Sequence, residues 1–130
     1  MSLPEPERKF LVDRGIAHEV VVDAGMTCVL FPGWVLPSGL SVARTDLLLR
    51  LAPGFPDVPP DMWWCDPAIF RADGTQIPGT QSSEIHLGRT WQRWSRHFTA
   101  GQWQPGRDSL EGFLALIRAE FALASRVQAA

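Results

Sequence analysis

Residues 52–60 read Ala52-Pro53-Gly54-Phe55-Pro56-Asp57-Val58-Pro59-Pro60, and five of these nine residues are proline or glycine. Proline lacks a backbone N–H and has a fixed φ, so this segment cannot form the interior of a helix or a central strand. Helices and strands are therefore predicted separately for the residues before and after this segment. Phe55 and Val58 are its only large apolar side chains, and we expect both to pack beneath a long C-terminal helix.

The part before this segment predicts one helix and three strands. The helix is expected over Glu5–Gly15, because prolines suit a first helical turn and Gly15 suits a helix end. Runs of β-branched and apolar residues predict the strands. They cover His18–Val22, Thr27–Phe31 and Asp46–Leu51. Pro32-Gly33 is expected to end the second strand.

The part after the segment predicts a fourth strand at Met62–Cys65 and a long helix that begins at Asp108 or Ser109. The helix has apolar residues at helical spacing, namely Leu110, Phe113, Leu114, Ile117 and Phe121. Residues 66–102 show turns but no clear period. The expected architecture is α+β: a short N-terminal helix, a four-stranded antiparallel meander, an irregular segment and a long C-terminal helix. The length of 130 residues suits a single domain over residues 1–130.

Composition limits the partners that the chain is expected to have. The net charge of −2 provides no field that would attract nucleic acid. No stretch approaches 18 consecutive apolar residues, and the N-terminus does not resemble a signal peptide. We therefore expect a cytoplasmic protein with neither a nucleic-acid nor a membrane partner.

The two cysteines, Cys28 and Cys65, lie in apolar, strand-like runs and form no CxxC pair. This pattern is untypical of a secreted disulfide framework and predicts two buried free thiols. A metal site built from Cys65, His86 and His97 would lack recognisable ligand spacing, so no metal and no cofactor is predicted.

Two motifs, in order, carry a resemblance to a known family. Phe55-Pro56-Asp57-Val58-Pro59-Pro60 is similar to the aromatic-Pro-x-x-Pro-Pro segment of the ubiquitin-conjugating (UBC) superfamily, and Trp103-Gln104-Pro105 is similar to its Trp-x-Pro. With the helix that follows, the chain resembles this superfamily over roughly residues 5–125. Residues 86–97, His-Leu-Gly-Arg-Thr-Trp-Gln-Arg-Trp-Ser-Arg-His, resemble its prokaryotic "family E" of ubiquitin-conjugating-like proteins.

The resemblance implies a UBC-like fold and a place in a bacterial ubiquitin-like conjugation pathway. The implied partners are a ubiquitin-like protein, a ubiquitin-activating-like enzyme and a deubiquitinase-like metallopeptidase of the same pathway. The implied role is that of a transferase which accepts the C-terminus of the ubiquitin-like protein. The alternative is a non-catalytic UBC-like binding module that scaffolds the ubiquitin-like protein or its activating enzyme.

The sequence departs from the family pattern at the residues that carry out catalysis in the family. The His-Pro-Asn motif is absent, and Asp66-Pro67-Ala68 retains only its proline. The family's catalytic cysteine lies shortly before the tryptophan of Trp-x-Pro. Eight positions before Trp103 the chain has Ser95, and neither cysteine is near. The resemblance therefore implies Ser95 as the acyl acceptor, through an oxyester; Cys65 and a purely structural Ser95 hydroxyl remain alternatives.

A serine nucleophile needs an adjacent general base, and His97 is two residues away. In an extended segment the two side chains would point to the same side, whereas in a helix they would not. Trp91, Trp94 and Phe98 have helical spacing, which favours the second case. The conformation of residues 91–98 therefore separates a Ser95–His97 catalytic pair from the alternatives.

The same region supplies the residues expected to bind a partner protein. Three tryptophans lie within 13 positions, and such large aromatic side chains belong either to a core or to an interface. The arginines among residues 86–97 could pair with an acidic partner surface or form an ordinary solvated face. The predicted partner-binding residues are Trp91, Arg93, Trp94, Arg96 and Trp103. His86 is a further, weaker candidate for a functional histidine.

Overall fold

The computed structural model describes residues 3–98, 102–104 and 108–126. Two helices enclose six strands in the order of the chain. The elements are α1 (Glu5–Asp13), β1 (Glu19–Asp23), β2 (Met26–Val35), β3 (Arg44–Leu51), β4 (Trp63–Asp66), β5 (Ser83–His86), β6 (Arg89–Trp94) and α2 (Leu110–Ser125). The predicted α+β class, the N-terminal helix and the long C-terminal helix are confirmed.

The six strands form one sheet in the order β1-β2-β3-β4-β6-β5, with every neighbouring pair antiparallel. The first four strands form the expected meander, but the prediction of only four strands is wrong. The two additional strands are a hairpin that turns at Leu87 and Gly88, whose φ angles are 54° and 72°. Two consecutive positive φ values suit a two-residue hairpin turn. Leucine is unusual at the first of these positions, so the turn could not be recognised from the sequence.

The second strand also differs from its prediction, because β2 continues through Pro32-Gly33 to Val35. A register shift between Phe31 and Trp34 accommodates the two residues within the pairing of β2 with β3. Gly33 adopts a φ of 62°, and its N–H donates to Asp46 Oδ1 at 2.8 Å. The irregularity therefore bends the strand without ending it.

The two helices contact each other through a buried carboxylate. α1 ends at Asp13, two residues before its predicted end, and Gly15 follows with a φ of 64°. Ser109 is the N-cap of α2 but its side chain makes no capping hydrogen bond. Instead, the N–H of Leu110 donates to Glu7 Oε2 at 3.3 Å, and Glu7 is buried. A residue of α1 thus caps α2.

The sheet has two faces with different coverings. The main core includes side chains of α1, α2 and the sheet, among them Leu11, Val29, Leu47, Leu49, Trp63, Trp94, Phe113, Ile117 and Phe121. A smaller cluster contains Cys28, Leu48, Trp64 and Trp91. Strand alternation explains this division, since neighbours such as Trp63 and Trp64 point to opposite faces.

In the proline-rich segment Phe55 is buried, as predicted, but against Trp103 and not directly beneath α2, and Val58 is not buried. Phe55 is buried against Trp103, with ring centroids 6.2 Å apart, and Trp103 Nε1 donates to the carbonyl of Pro56 at 2.9 Å. Phe98 connects Trp103 to Phe113 of α2. Val58 is 45% exposed, so its predicted burial is wrong.

Neither described helix combines the length and the apolar character that crossing a bilayer would require.

Candidate functional site

The segment that carries the predicted site begins as a strand. β6 covers Arg89–Trp94, and residues 95–98 follow without regular secondary structure. The helical alternative for residues 91–98 is therefore wrong. Trp91 and Trp94 lie in different clusters on opposite faces of the sheet, as an i, i+3 pair does in a strand.

The backbone at Ser95 is held from two sides. Its N–H donates to the carbonyl of Gly79 at 2.9 Å, while the next carbonyl, that of Arg96, accepts from Met62 N–H at 3.2 Å. Arg96 Nη1 also donates to the carbonyl of Ser95 at 3.0 Å. Gly79 has a φ of 78°, and a Cβ placed there would lie 2.6 Å from Arg96 Nη1. Both the positive φ and the nearby guanidinium therefore favour glycine at this position.

His97 forms a pair with a carboxylate that the sequence did not single out. Its Nδ1 lies 2.6 Å from Asp61 Oδ1. A carboxylate can only accept, so this contact requires the tautomer with the proton on Nδ1, in which Nε2 is the accepting nitrogen. Both side chains are exposed, His97 at 62% and Asp61 at 52%. A base oriented by a carboxylate is the arrangement that activates nucleophiles in acyl transfer. Asp61 is 36 positions from His97, so no local spacing indicated it.

Ser95 and His97 are neighbours in the chain but are not joined in the structure. Within the described ranges, no hydrogen bond links the Ser95 hydroxyl to the imidazole, and Ser95 is half-buried. Catalytic hydrogen bonds often form only in the substrate complex, so a Ser95–His97 pair is compatible with this structure. The candidate site consists of a solvent-exposed His97–Asp61 pair and a serine two residues away.

An open groove of about 610 Å³ borders the His97–Asp61 pair, and Ser95 is not among the residues that line it. Its lining includes Val58, Pro60 and Trp64 as apolar walls and Asp61 and His97 at one part of the rim. His97 also lines a smaller cavity of about 110 Å³ next to α2. The imidazole therefore lies where two surface depressions approach each other. A groove of the larger size matches ordinary ligand sites, which occupy about 300–1,000 Å³.

The predicted partner-binding residues divide into exposed and buried groups. Arg93 Nη1 donates to Glu84 Oε2 at 2.7 Å, and Arg96 Nε donates to Glu120 Oε1 at 2.7 Å. Both arginine side chains remain partly exposed. Trp91 and Trp94 are completely buried, and Trp103 is 8% exposed. Arg93 is therefore paired beside β5 and Arg96 beside α2, while the three tryptophans belong to the interior.

His86 and Glu84 belong to a polar cluster on the outer face of the sheet. Glu84 accepts from Trp64 Nε1 at 3.0 Å, from His86 Nε2 at 2.9 Å and from Arg93 Nη1 at 2.7 Å. Burial opposes ionisation of Glu84, but the hydrogen bonds from His86, Arg93 and Trp64 outweigh it and hold its pKa below the usual range. His86 thus has a structural partner of its own.

The two cysteines are free and buried, as predicted. Burial raises the pKa of both thiols, and for Cys28 the neighbouring Arg50 only partly offsets this effect. A thiolate is the nucleophilic form, so neither thiol is activated. No group of three His, Cys, Asp or Glu residues in the described part of the chain could hold a metal ion.

These observations define an α+β domain with a six-stranded antiparallel sheet and a His97–Asp61 pair beside a surface groove. The model of one family, prokaryotic E2 family E, matches residues 3–124. The chain belongs to this family, which confirms the family resemblance of the sequence. A search of curated proteins and a search of solved structures found no match. Of the Trp-x-Pro motif, Pro105 lies outside the described residues.

Proposed function

We propose that this chain acts in a bacterial ubiquitin-like conjugation pathway, where it accepts the C-terminus of a ubiquitin-like protein as an oxyester on Ser95. The observation that carries the proposal is the His97–Asp61 pair, two residues from Ser95, in a member of the prokaryotic E2 family E. A ubiquitin-activating-like enzyme would deliver the acyl group. A deubiquitinase-like metallopeptidase of the same pathway would remove the ubiquitin-like protein from its acceptor.

The proposed step is a transfer from a thioester to an alcohol. Ser95 Oγ attacks the carbonyl carbon of the thioester on the activating enzyme, forming a C–O bond as the C–S bond breaks. His97 Nε2 takes the hydroxyl proton and returns it to the leaving thiolate, so protons and charge balance. Asp61 keeps the proton on Nδ1 and stabilises the transient imidazolium, since its Oδ1 lies 2.6 Å away.

The substrate must bring the two side chains together. The backbone of Ser95 is held by Gly79, and that of Arg96 by Met62. The remaining freedom therefore lies in the side-chain torsions of Ser95 and His97, both of which have some exposure. An extended C-terminus laid in the groove would exclude water from the imidazole of His97, which lines the groove, and the Ser95 hydroxyl would then have to turn toward it.

The second candidate function is a non-catalytic module that binds the ubiquitin-like protein or its activating enzyme. The lack of a hydrogen bond between the described Ser95 and His97 side chains favours it, and so does the burial of both thiols. In this case Arg93 and Arg96 would supply charged contacts to an acidic partner surface.

Loading with a purified activating-like enzyme, ATP and the ubiquitin-like protein separates the two candidates. We expect an adduct of the full chain by intact-mass spectrometry, lost in Ser95→Ala and retained in the control Ser83→Ala, which removes an exposed hydroxyl on β5. His97→Ala should slow loading about 10²–10⁴-fold. An undiminished adduct on Ser95→Ala would reject the serine mechanism, whereas partner binding without any adduct would establish the scaffold.

A further inference from the structure

The edge strand β1 exposes an apolar surface that the proposed function does not use. β1 pairs with β2 alone, and its register runs unbroken from Glu19 opposite Leu30 to Asp23 opposite Met26. Its three valines, Val20, Val21 and Val22, are 36%, 43% and 49% exposed. An edge strand presents unpaired N–H and C=O groups, and proteins usually protect such edges with lysine, proline or a bulge. β1 has no lysine, proline or bulge, and its only charged side chains are the acids at its two ends.

The charges at the ends of β1 argue against a second copy of the chain as its partner. If two copies paired antiparallel over the whole strand, Glu19 of each would lie opposite Asp23 of the other. If they paired parallel and in register, each acid would lie beside its own counterpart. Like charges opposite each other destabilise strand pairs. Both full-length arrangements therefore place acid against acid at the two ends of the strand.

The same charges favour a foreign strand with basic ends. Glu19 is exposed, and the Asp23 side chain is 39% exposed. Asp23 Oδ2 lies 3.5 Å from Arg50 Nη2, at the outer limit of a hydrogen bond, so the carboxylate remains open to a second cation. Three valines between these acids offer surface for β-branched side chains on either face.

We propose that β1 binds an extended segment of another protein by strand addition, and that this segment carries β-branched residues between two basic residues. The backbone of the segment would extend the sheet beyond β1, and its basic side chains would pair with Glu19 and Asp23. The surface is independent of the Ser95 site, because β2, β3 and β4 separate β1 from β6 in the sheet. Whether β1 binds such a segment therefore has no bearing on the oxyester mechanism.

The test uses three N-acetylated, C-amidated pentapeptides: KVTVK, EVTVE and KGGGK. They are titrated into the full chain, and amide shifts are followed by NMR. We expect KVTVK to bind about tenfold more tightly than EVTVE at low ionic strength, with the difference shrinking at high salt. The shifts should centre on Val20–Val22. KGGGK, which keeps the charges but loses the strand preference, should bind much more weakly.

Glu19→Lys tests the charge pairing, and Glu5→Lys is the control because it makes the same charge change on α1. Glu19→Lys should weaken KVTVK binding about threefold and should regain affinity for only one of the peptides KVTVE and EVTVK, which also reports strand direction. Glu5→Lys should change neither the affinity for KVTVK nor the affinities for KVTVE and EVTVK. Equal binding of KVTVK and EVTVE, equal binding of KGGGK, or no binding of KVTVK would overturn the proposal. Association of the chain with itself through β1 would also overturn it.

Discussion

Replacing Gly79 by alanine tests the contact that fixes the backbone at Ser95. The φ of Gly79 is 78°, and a residue with a Cβ in this left-handed region costs about 1–2 kcal/mol. The gain from reduced freedom of the unfolded chain, about 0.4–1 kcal/mol, offsets part of this cost. The backbone term alone is therefore about 1 kcal/mol.

The new methyl group would also disturb Arg96. It would lie 2.6 Å from Arg96 Nη1 and 3.3 Å from the carbonyl oxygen of Ser95. The guanidinium is the flexible end of a long side chain, so it would move and lose its hydrogen bond to that carbonyl. A hydrogen bond from a charged group is worth about 1.5–3 kcal/mol, with the lower end appropriate for the partly exposed Arg96. We expect Gly79→Ala to cost about 2–3 kcal/mol in total.

Gly88→Ala is the matched control, because Gly88 has a φ of 72° and an added Cβ there would meet nothing within 4 Å. The free energy of unfolding, measured by urea denaturation, should fall by about 1 kcal/mol in Gly88→Ala. Removing the guanidinium with Arg96→Ala should also reduce the additional cost of Gly79→Ala. Equal losses in Gly79→Ala and Gly88→Ala would refute the contact between Gly79 and Arg96.

Three further predictions concern burial. Burial raises the pKa of Glu7 in the folded chain, so its charge destabilises the fold as pH rises from the ordinary glutamate pKa through the folded one. Glu7→Gln should therefore gain stability relative to the unmodified chain as the pH rises above the ordinary glutamate pKa of about 4, and a pH-independent difference in urea denaturation would contradict this. Replacing Cys28 and Cys65 together by alanine should leave adduct formation intact, and a loss in a folded variant by mass spectrometry would place the acyl link on a thiol. Phe55→Ala should cost about 3–5 kcal/mol by removing the ring from Trp103, and an unchanged melting temperature would exclude this packing.

The sequence predicted those elements whose signals are local. α2 was predicted from apolar residues at helical spacing, and the first four strands from their runs of β-branched and other apolar residues. The hairpin of β5 and β6 was missed because its turn residue Leu87 is atypical and because Trp91 and Trp94 mimic helical spacing. In the structure each tryptophan fills a different face of the sheet.

The candidate site was predicted only in part, because its contacts are long-range. Ser95 and His97 could be named from their positions in the chain, but the carboxylate of Asp61 reaches His97 only when the start of β4 lies beside the end of β6. The N-terminal cap of α2 is another long-range contact that local sequence patterns do not predict. Glu7 and Leu110 are separated by 103 positions, and local rules predicted Asp108 or Ser109 in that role.

The chemical stability of the adduct tests the central proposal most directly. An oxyester on Ser95 resists thiol reductants but is cleaved by hydroxylamine or mild alkali, whereas a thioester is cleaved by reductant. We expect the loaded chain to survive reductant, and the adduct of Ser95→Cys to be released by it. Melting curves of both variants would show that the fold is retained. Release of the unmodified chain's adduct by reductant, or an adduct that maps to another residue, would contradict the assignment of Ser95 as the acyl acceptor.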